Sequence, residues 1–522
     1  MSPDPSGAHP SAAEPADLAA RAAEKHVVVI GGGMGGLVAA RECAKVGMRV
    51  TVLEAAEALG GALRRVELDG VTLDAGAESY ATRGGLVRAL VDELGLADRV
   101  VPPRAGGAWL SGIPGTGAAP LPVGGVLGIP GNPFQDDVRR IIGWSGAWRA
   151  YLDRVRPPLT IGHELSLGRL VASRMGPKVR DRLVAPVTTG VYSASPDDVD
   201  IDVAAPGLNA ALTRVGSLSG AVLALRGNGG SGGAKAPGAA VEGLRGGMTV
   251  LVDAIADDLA QLGATVRTGV RVLSVVSEDG GWRVTAATQL DTPTQTPEPW
   301  VAESEPLADV VAVTDEPVEE LLRADAVIVA TAESVARELL ADAVPALALA
   351  EAAASPEIEI VTLLLDAPAL RSVPRGTGVL TVPGSHTAKA LTHSTAKWEW
   401  VREAAGDREV VRVSFGAQGE PAATAALDDA AAIDLARREA AALLGVPLEP
   451  TQVIAGHRGR FVQSQPASLL GSGARRQAAR DAIQAIPGLA VVGAWVAGTG
   501  LAQVVPDATE ASDRLRRALL WD

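Results

Sequence analysis

The run HVVVIGGGMGGLVAARECAKVGMRVTVLEA, residues 26–55, restricts the fold more than any other part of the 522-residue chain. Four consecutive apolar residues, all of them β-branched, read as a buried strand, and the glycines that follow read as a tight turn. An amphipathic stretch and a second β-branched run then complete a strand–turn–helix–strand unit, the opening of a parallel sheet. Gly31, Gly33 and Gly36 satisfy G-x-G-x-x-G. Gly31 permits the turn, Gly33 leaves room for a pyrophosphate against the backbone, and Gly36 lets helix and strand pack closely. Gly32, Met34 and Gly35 fill the remaining positions, where the free N–H groups of a helix N-terminus favour an anion. Eighteen residues beyond Gly36, Glu54 ends the second strand, where a carboxylate accepts from ribose hydroxyls and repels a 2′-phosphate. The unit predicts a dinucleotide, FAD or NAD.

Composition sets outer limits. Hydrophobic residues at 47% and charged residues at 21% exclude wholesale disorder. A net charge of −14 argues against nucleic acid as a partner. The single cysteine, Cys43, allows no intramolecular disulfide, and the six histidines show no metal-ligand spacing. No apolar stretch is long enough to span a membrane, so a cytoplasmic, metal-free protein is expected.

Residues 1–25 read as a disordered tail, poor in large apolar groups. ADAVIVATA (324–332) and PGLAVVGAW (487–495) repeat the short buried-strand pattern of the first unit, so its sheet is expected to draw on distant segments. The expected fold is α/β: a Rossmann-like dinucleotide domain assembled from 26–100, 241–282, 321–345 and 456–522, with a helical lobe over 101–240. A substrate-domain sheet over 346–455 and an insertion loop over 283–320 complete it.

Further motifs carry a resemblance. Gly60-Gly61 followed by Arg64 resembles the glycine doublet and basic residue of flavoproteins in the amine oxidase superfamily. LDAGAESYATRGGLVRAL (73–90), VAPVTTGVYSASPDDVDIDVAAPGL (184–208), EGLRGGMTVLVDAIADDL (242–259), STAKWEWV (394–401) and GAWVAGTGLAQVVPDATEAS (493–512) resemble, in that order, segments of the protoporphyrinogen and coproporphyrinogen oxidase family. The resemblance implies noncovalent FAD and oxidation of coproporphyrinogen III by oxygen, with hydrogen peroxide released, in haem biosynthesis. It also implies transient contact with other enzymes of that pathway. By position, Ala55, Gly61 and Arg64 join the nucleotide site, and Gly76, Ala77, Glu78 and Ser79 line the flavin. Val272 meets the adenine through its backbone, Phe461 adjoins the cofactor, and Gly500, Leu501 and Ala502 lie under the ring at a helix N-terminus. Three departures stand out: Ala62 follows the doublet where the family carries a basic residue, Phe461 replaces a tryptophan, and Leu501-Ala502-Gln503 stands where the family reads Ile-Pro-Asp.

The remaining candidates have plain structural readings as well. Arg83 ends GAESYATR and is the candidate anchor for a substrate propionate, the alternative being an exposed helix-start arginine. Arg174, Lys178, Arg180 and Arg182 read as a solvated face, and Trp144 and Trp148 as core residues. His163, His386, His393 and His457 have no nucleophile or carboxylate close in sequence, which gives a Ser-His-Asp hydrolase no support. No catalytic acid or base is nominated. The alternatives are a protoporphyrinogen oxidase, another flavoenzyme of the superfamily such as an amine oxidase or carotenoid-type desaturase, and a nonenzymatic flavin-binding homologue.

Overall fold

Val27 and Val29 face one way and Val28 and Ile30 the other, and both sets are buried, because His26–Ile30 is the central strand of a five-stranded parallel sheet. The order is Thr265–Arg267, Arg49–Leu53, His26–Ile30, Ala326–Val329, Leu489–Val491. A parallel sheet needs cover on both faces. On one face the helices Met34–Ala44, Thr249–Gln261 and Leu501–Trp521 pack through Leu37, Leu251, Ile255, Val505 and Leu515. On the other lie the antiparallel strands Val270–Glu278, Gly281–Thr288 and Glu319–Ala324, together with Glu333–Leu339 and Ser472–Gln484. The distant strands thus join the first unit's sheet as their apolar patterns predict. The computed structural model describes residues 15–155, 164–227, 240–278, 280–288, 319–349, 355–462 and 469–521.

A second sheet has seven strands, in the order Val453–Val462, Glu357–Leu365, Glu409–Phe415, Ala390–His393, Gly378–Thr381, Ala108–Ile113, Gly117–Pro120. It is antiparallel except where Gly378–Thr381 runs parallel to Ala108–Ile113. One face packs on the helix Asp429–Leu444 through Val361, Leu363, Val411 and Val413. Leu364 and Val410 on the other face meet Leu73 and Trp398, which brings this sheet against the chain leading out of the first domain. The helices between 136 and 227 enclose a third core of their own, built on Ile141, Ile142, Leu170, Leu183 and Leu208.

Several expectations are corrected here. Pro15–Glu24, read as tail, is a helix whose Ala22 is buried in the first domain's core; residues 1–14 lie outside the described residues. Trp144 and Trp148 are not core residues: they are 60% and 57% exposed. Their helix, Asp136–Tyr151, buries Val138, Ile141, Ile142, Ala147 and Ala150, which puts the tryptophans on its outer face against Phe134. Arg174 is not on a solvated face but buried, with Nε donating at 2.5 Å to the fully enclosed Asp153. Lys178 donates to Ser145 Oγ, Arg180 pairs with Asp181, and Arg182 donates to the Ile141 carbonyl. The insertion read at 283–320 joins two paired strands, with Trp282 opposite Ala324, so it begins inside Gly281–Thr288; residues 289–318 lie outside the described residues. Residues 228–239 and 463–468 lie outside them too.

Candidate functional site

The glycine turn follows the central strand directly. Gly31 adopts φ +109°, which favours glycine, and a Cβ there would sit 2.7 Å from the Ala330 carbonyl oxygen. A Cβ on Gly36 would run into the Gly31 carbonyl, so the helix can lie on the turn only with glycine at this position. Gly33 is different: no atom lies within 4 Å of where its Cβ would be. Space is therefore kept open above Gly33, at the N-terminus of Met34–Ala44, the place a pyrophosphate would take.

Glu54 sits at the neighbouring strand end. Its Oε2 accepts from the Gly32 N–H at 2.6 Å and its Oε1 from the Ala56 N–H at 2.8 Å, so the carboxylate organises both turns. Ala55, between them, is exposed. The glycine doublet lies alongside: Gly60 N–H donates to the Gly32 carbonyl, and Gly33 bridges to Gly60. A Cβ on Gly61 would lie 3.3 Å from Gly33 Cα. Arg64 is exposed, donates to the Gly61 carbonyl at 2.9 Å, and lies 5.8 Å from the Phe461 ring centre.

Gly76 passes beneath Ala62, where a Cβ would collide with the Ala62 carbonyl and come within 3.2 Å of the Phe461 ring. Ala77 N–H donates to that same carbonyl. Gly61, Arg64, Gly76, Ala77 and Phe461 thus meet in one place. Glu78 does something the sequence did not reveal. Its Oε1 accepts from Lys397 Nζ at 2.6 Å, and its Oε2 lies 3.0 Å from Arg412 Nη1, both from the second sheet's side. These two cations outweigh burial and hold the carboxyl down at about 2. Arg412 also donates to the Ala75 and Gly76 carbonyls, fixing the backbone under Ser79 and its neighbours. Next to it, Asp74 is 4% exposed; Oδ1 accepts from the Met248 N–H, while Oδ2 has no partner among the described residues. Burial pushes this carboxyl up to about 7.

Val272 pairs with Ala286 in the strand Val270–Glu278, beside an irregularity in register. Two residues earlier, Val270 N–H donates to the Glu54 carbonyl. Gly500 precedes the C-terminal helix, which Leu501 and Ala502 begin, and those two pack on the core that carries the glycine-turn helix. Farther along the flavin turn, Arg83 is exposed, and no carboxylate pairs with it among the described residues. Its charge acts on the enclosed Tyr192 phenol, whose pKa burial nonetheless raises. Two histidines acquire partners from far away in sequence: His386 lies 3.0 Å from Ser111 Oγ and 3.8 Å from Glu439, and His393 lies 3.0 Å from Glu409. Ser111 is 4% exposed in mid-strand, closed to any substrate, so the arrangement is structural.

Comparison with known proteins agrees with this geometry. The model for flavin containing amine oxidoreductase matches residues 34–515. The chain belongs to that family. It is 29% identical to the coproporphyrinogen III oxidase of Mycobacterium bovis over 499 residues, 94% of this chain and 97% of that one. The coproporphyrinogen III oxidase of Propionibacterium freudenreichii is 31% identical over 183 residues, 35% of this chain and 34% of its own. A provisionally named protoporphyrinogen oxidase from Exiguobacterium sp. 255-15 shares the fold, with a TM-score of 0.76 at 23% identity, covering 94% of this chain and 99% of that structure.

As a flavin containing amine oxidoreductase the chain is an oxidoreductase, and FAD is its cofactor. The residues fit the group: open space at Gly33, a helix N-terminus beside it, and an acidic residue at the second strand end. Sequence reasoning missed Arg412 and Asp74. The signal for Arg412 was available, a lone cation within the apolar strand EVVRVSF, since such a residue is buried only with a partner.

Proposed function

We propose that this chain oxidises coproporphyrinogen III to coproporphyrin III in haem biosynthesis, with oxygen as electron acceptor and hydrogen peroxide released. The reading rests chiefly on one observation: correspondence from end to end with a protein named coproporphyrinogen III oxidase. Bound at the glycine turn, FAD supplies the two-electron oxidant, renewed by oxygen. The protein's own residues bind, orient and shield. Glu78, Lys397 and Arg412 lock the flavin turn to the second sheet, so the surface offered to a substrate is held rigidly. Arg83 continues from that turn as an exposed cation suited to a carboxylate. Coproporphyrinogen carries four propionates where protoporphyrinogen carries two, and this favours the former.

A cytoplasmic site of action, with brief contacts to neighbouring haem-pathway enzymes, belongs to the same reading. Among the described residues no single helix is long and apolar enough to cross a membrane.

The experiment is a substrate panel on the purified yellow protein: coproporphyrinogen III, protoporphyrinogen and simple amines, followed by porphyrin fluorescence and peroxide release. Fastest fluorescence growth with coproporphyrinogen, matched by peroxide, is the expected outcome. Rates no higher than autoxidation for both porphyrinogens, with turnover of an amine, would refute the reading.

A further inference from the structure

The helix Ala185–Tyr192 ends at Ser193, which adopts φ +55° and is 3% exposed. Its carbonyl accepts from the Gln418 N–H at 2.7 Å, and its Oγ accepts from Lys389 Nζ at 2.6 Å. Lys389 precedes the strand Ala390–His393; its N–H donates to the Ser414 carbonyl, and its carbonyl accepts from Thr381 N–H. The ammonium therefore reaches out of the second sheet into the helical lobe. Contact between the two is close here, since a Cβ on Gly190 would lie 2.5 Å from Leu380 Cδ2.

Lys389 differs from four buried arginines, each of which holds a carboxylate. Arg41 holds Asp258, Arg174 holds Asp153, Arg412 holds Glu78 and Arg458 holds Glu359. Lys389 has only a hydroxyl, and no carboxylate pairs with it among the described residues. Burial alone accounts for its ammonium being pulled down to about 8. A largely enclosed cation without a counter-charge is costly to keep, and binding an anion offsets that cost. The next residue back along the chain from Ser193 is Tyr192, which feels the charge of Arg83. Lys389, a cation with no carboxylate partner among the described residues, thus meets the end of the helix Ala185–Tyr192 at Ser193.

We propose that Lys389 is an anchor for a substrate carboxylate, receiving it beside Ser193 while Arg83 takes another at the exposed side. The identity of the substrate as a polycarboxylate porphyrinogen rests on the proposed function; the anchor itself rests on the juxtaposition of Lys389 and Ser193 where the second sheet meets the helical lobe. Lys389 is thereby a positioning residue: it fixes where the macrocycle sits and takes no part in electron transfer.

The test compares holoenzyme carrying Lys389→Met, Lys389→Gln or Lys389→Arg with wild type. Fluorescence titrations use coproporphyrin III and its tetramethyl ester, and kinetics use coproporphyrinogen III. The methionine and glutamine variants are expected to keep full flavin content, bind coproporphyrin III about tenfold more weakly, and raise KM about tenfold with kcat within about twofold. The ester should bind all four proteins equally, and Lys389→Arg should restore most of the affinity for the acid, because it restores the charge. Unchanged binding of the acid by both neutral variants, in a wild type that oxidises the porphyrinogen, overturns the anchor and leaves the oxidase reading standing. Equal losses for acid and ester likewise overturn it, by showing a role in packing. A wild type that neither binds the porphyrin nor oxidises the porphyrinogen removes the oxidase reading itself, and the anchor with it. Should Lys389→Met not fold, Lys389→Gln gives the same comparison.

Discussion

Glu54 Oε2 accepts a 2.6 Å hydrogen bond from the backbone N–H of Gly32, so the residue that ends the second strand also shapes the turn after the first. Glu54→Ala removes this bond and that to Ala56, together with the proposed acceptor for a ribose hydroxyl. Hydrogen bonds to a charged group contribute about 1.5–3 kcal/mol, so FAD should be held at least about tenfold less tightly. Dialysis of mutant and wild type followed by flavin quantification measures this; equal retention takes Glu54 out of the site.

Two glycines of the same fingerprint should fail in different ways. Gly33 has φ −72° and ψ 172°, a conformation valine adopts, and open space where its Cβ would be. Gly33→Val should therefore fold, melt near wild type, and purify colourless, because valine fills the space the pyrophosphate needs. Gly36→Val forces a side chain into the Gly31 carbonyl and should yield little soluble protein. The check is far-UV circular dichroism beside flavin absorbance. A yellow Gly33→Val protein contradicts the assignment.

These glycines could be read from sequence because their roles depend on neighbours within one strand–turn–helix unit. Glu78 could not, because its partners Lys397 and Arg412 lie 319 and 334 residues away and meet it only when the second sheet docks. Trp144 and Trp148 misled because an i, i+4 pair shows that two residues share a face without showing which face is buried. In this helix the smaller side chains take the core.

Asp74 makes stability depend on pH. Its carboxyl is raised from an ordinary 3.8 to about 7 by burial, so the folded protein keeps a proton that the unfolded chain releases earlier. The stabilisation is complete below pH 3.8 and is lost as pH rises through about 7. Asp74→Asn keeps an acceptor for Met248 N–H and cannot ionise, so it should melt higher than wild type at pH 8, by about 1–3 kcal/mol in unfolding free energy. The advantage should shrink towards pH 5. Melting curves of both proteins across that range decide it, and a difference that does not vary with pH means that Asp74 does not titrate there.

Arg83 is the second proposed carboxylate anchor, and its consequence is one of selectivity. It is exposed, has no carboxylate partner among the described residues, and follows the turn that Arg412 holds in place. A guanidinium grips a carboxylate through two parallel hydrogen bonds, an interaction that loses strength where water reaches it. Arg83→Ala should therefore retain its flavin, since the turn is secured elsewhere, and should raise KM for coproporphyrinogen by about tenfold, with a smaller rise for the dicarboxylate. Steady-state kinetics on both porphyrinogens supply the comparison. If KM is unchanged for both, Arg83 contributes nothing to recognition. An equal rise for the two points instead to a contact with a part of the macrocycle that they share.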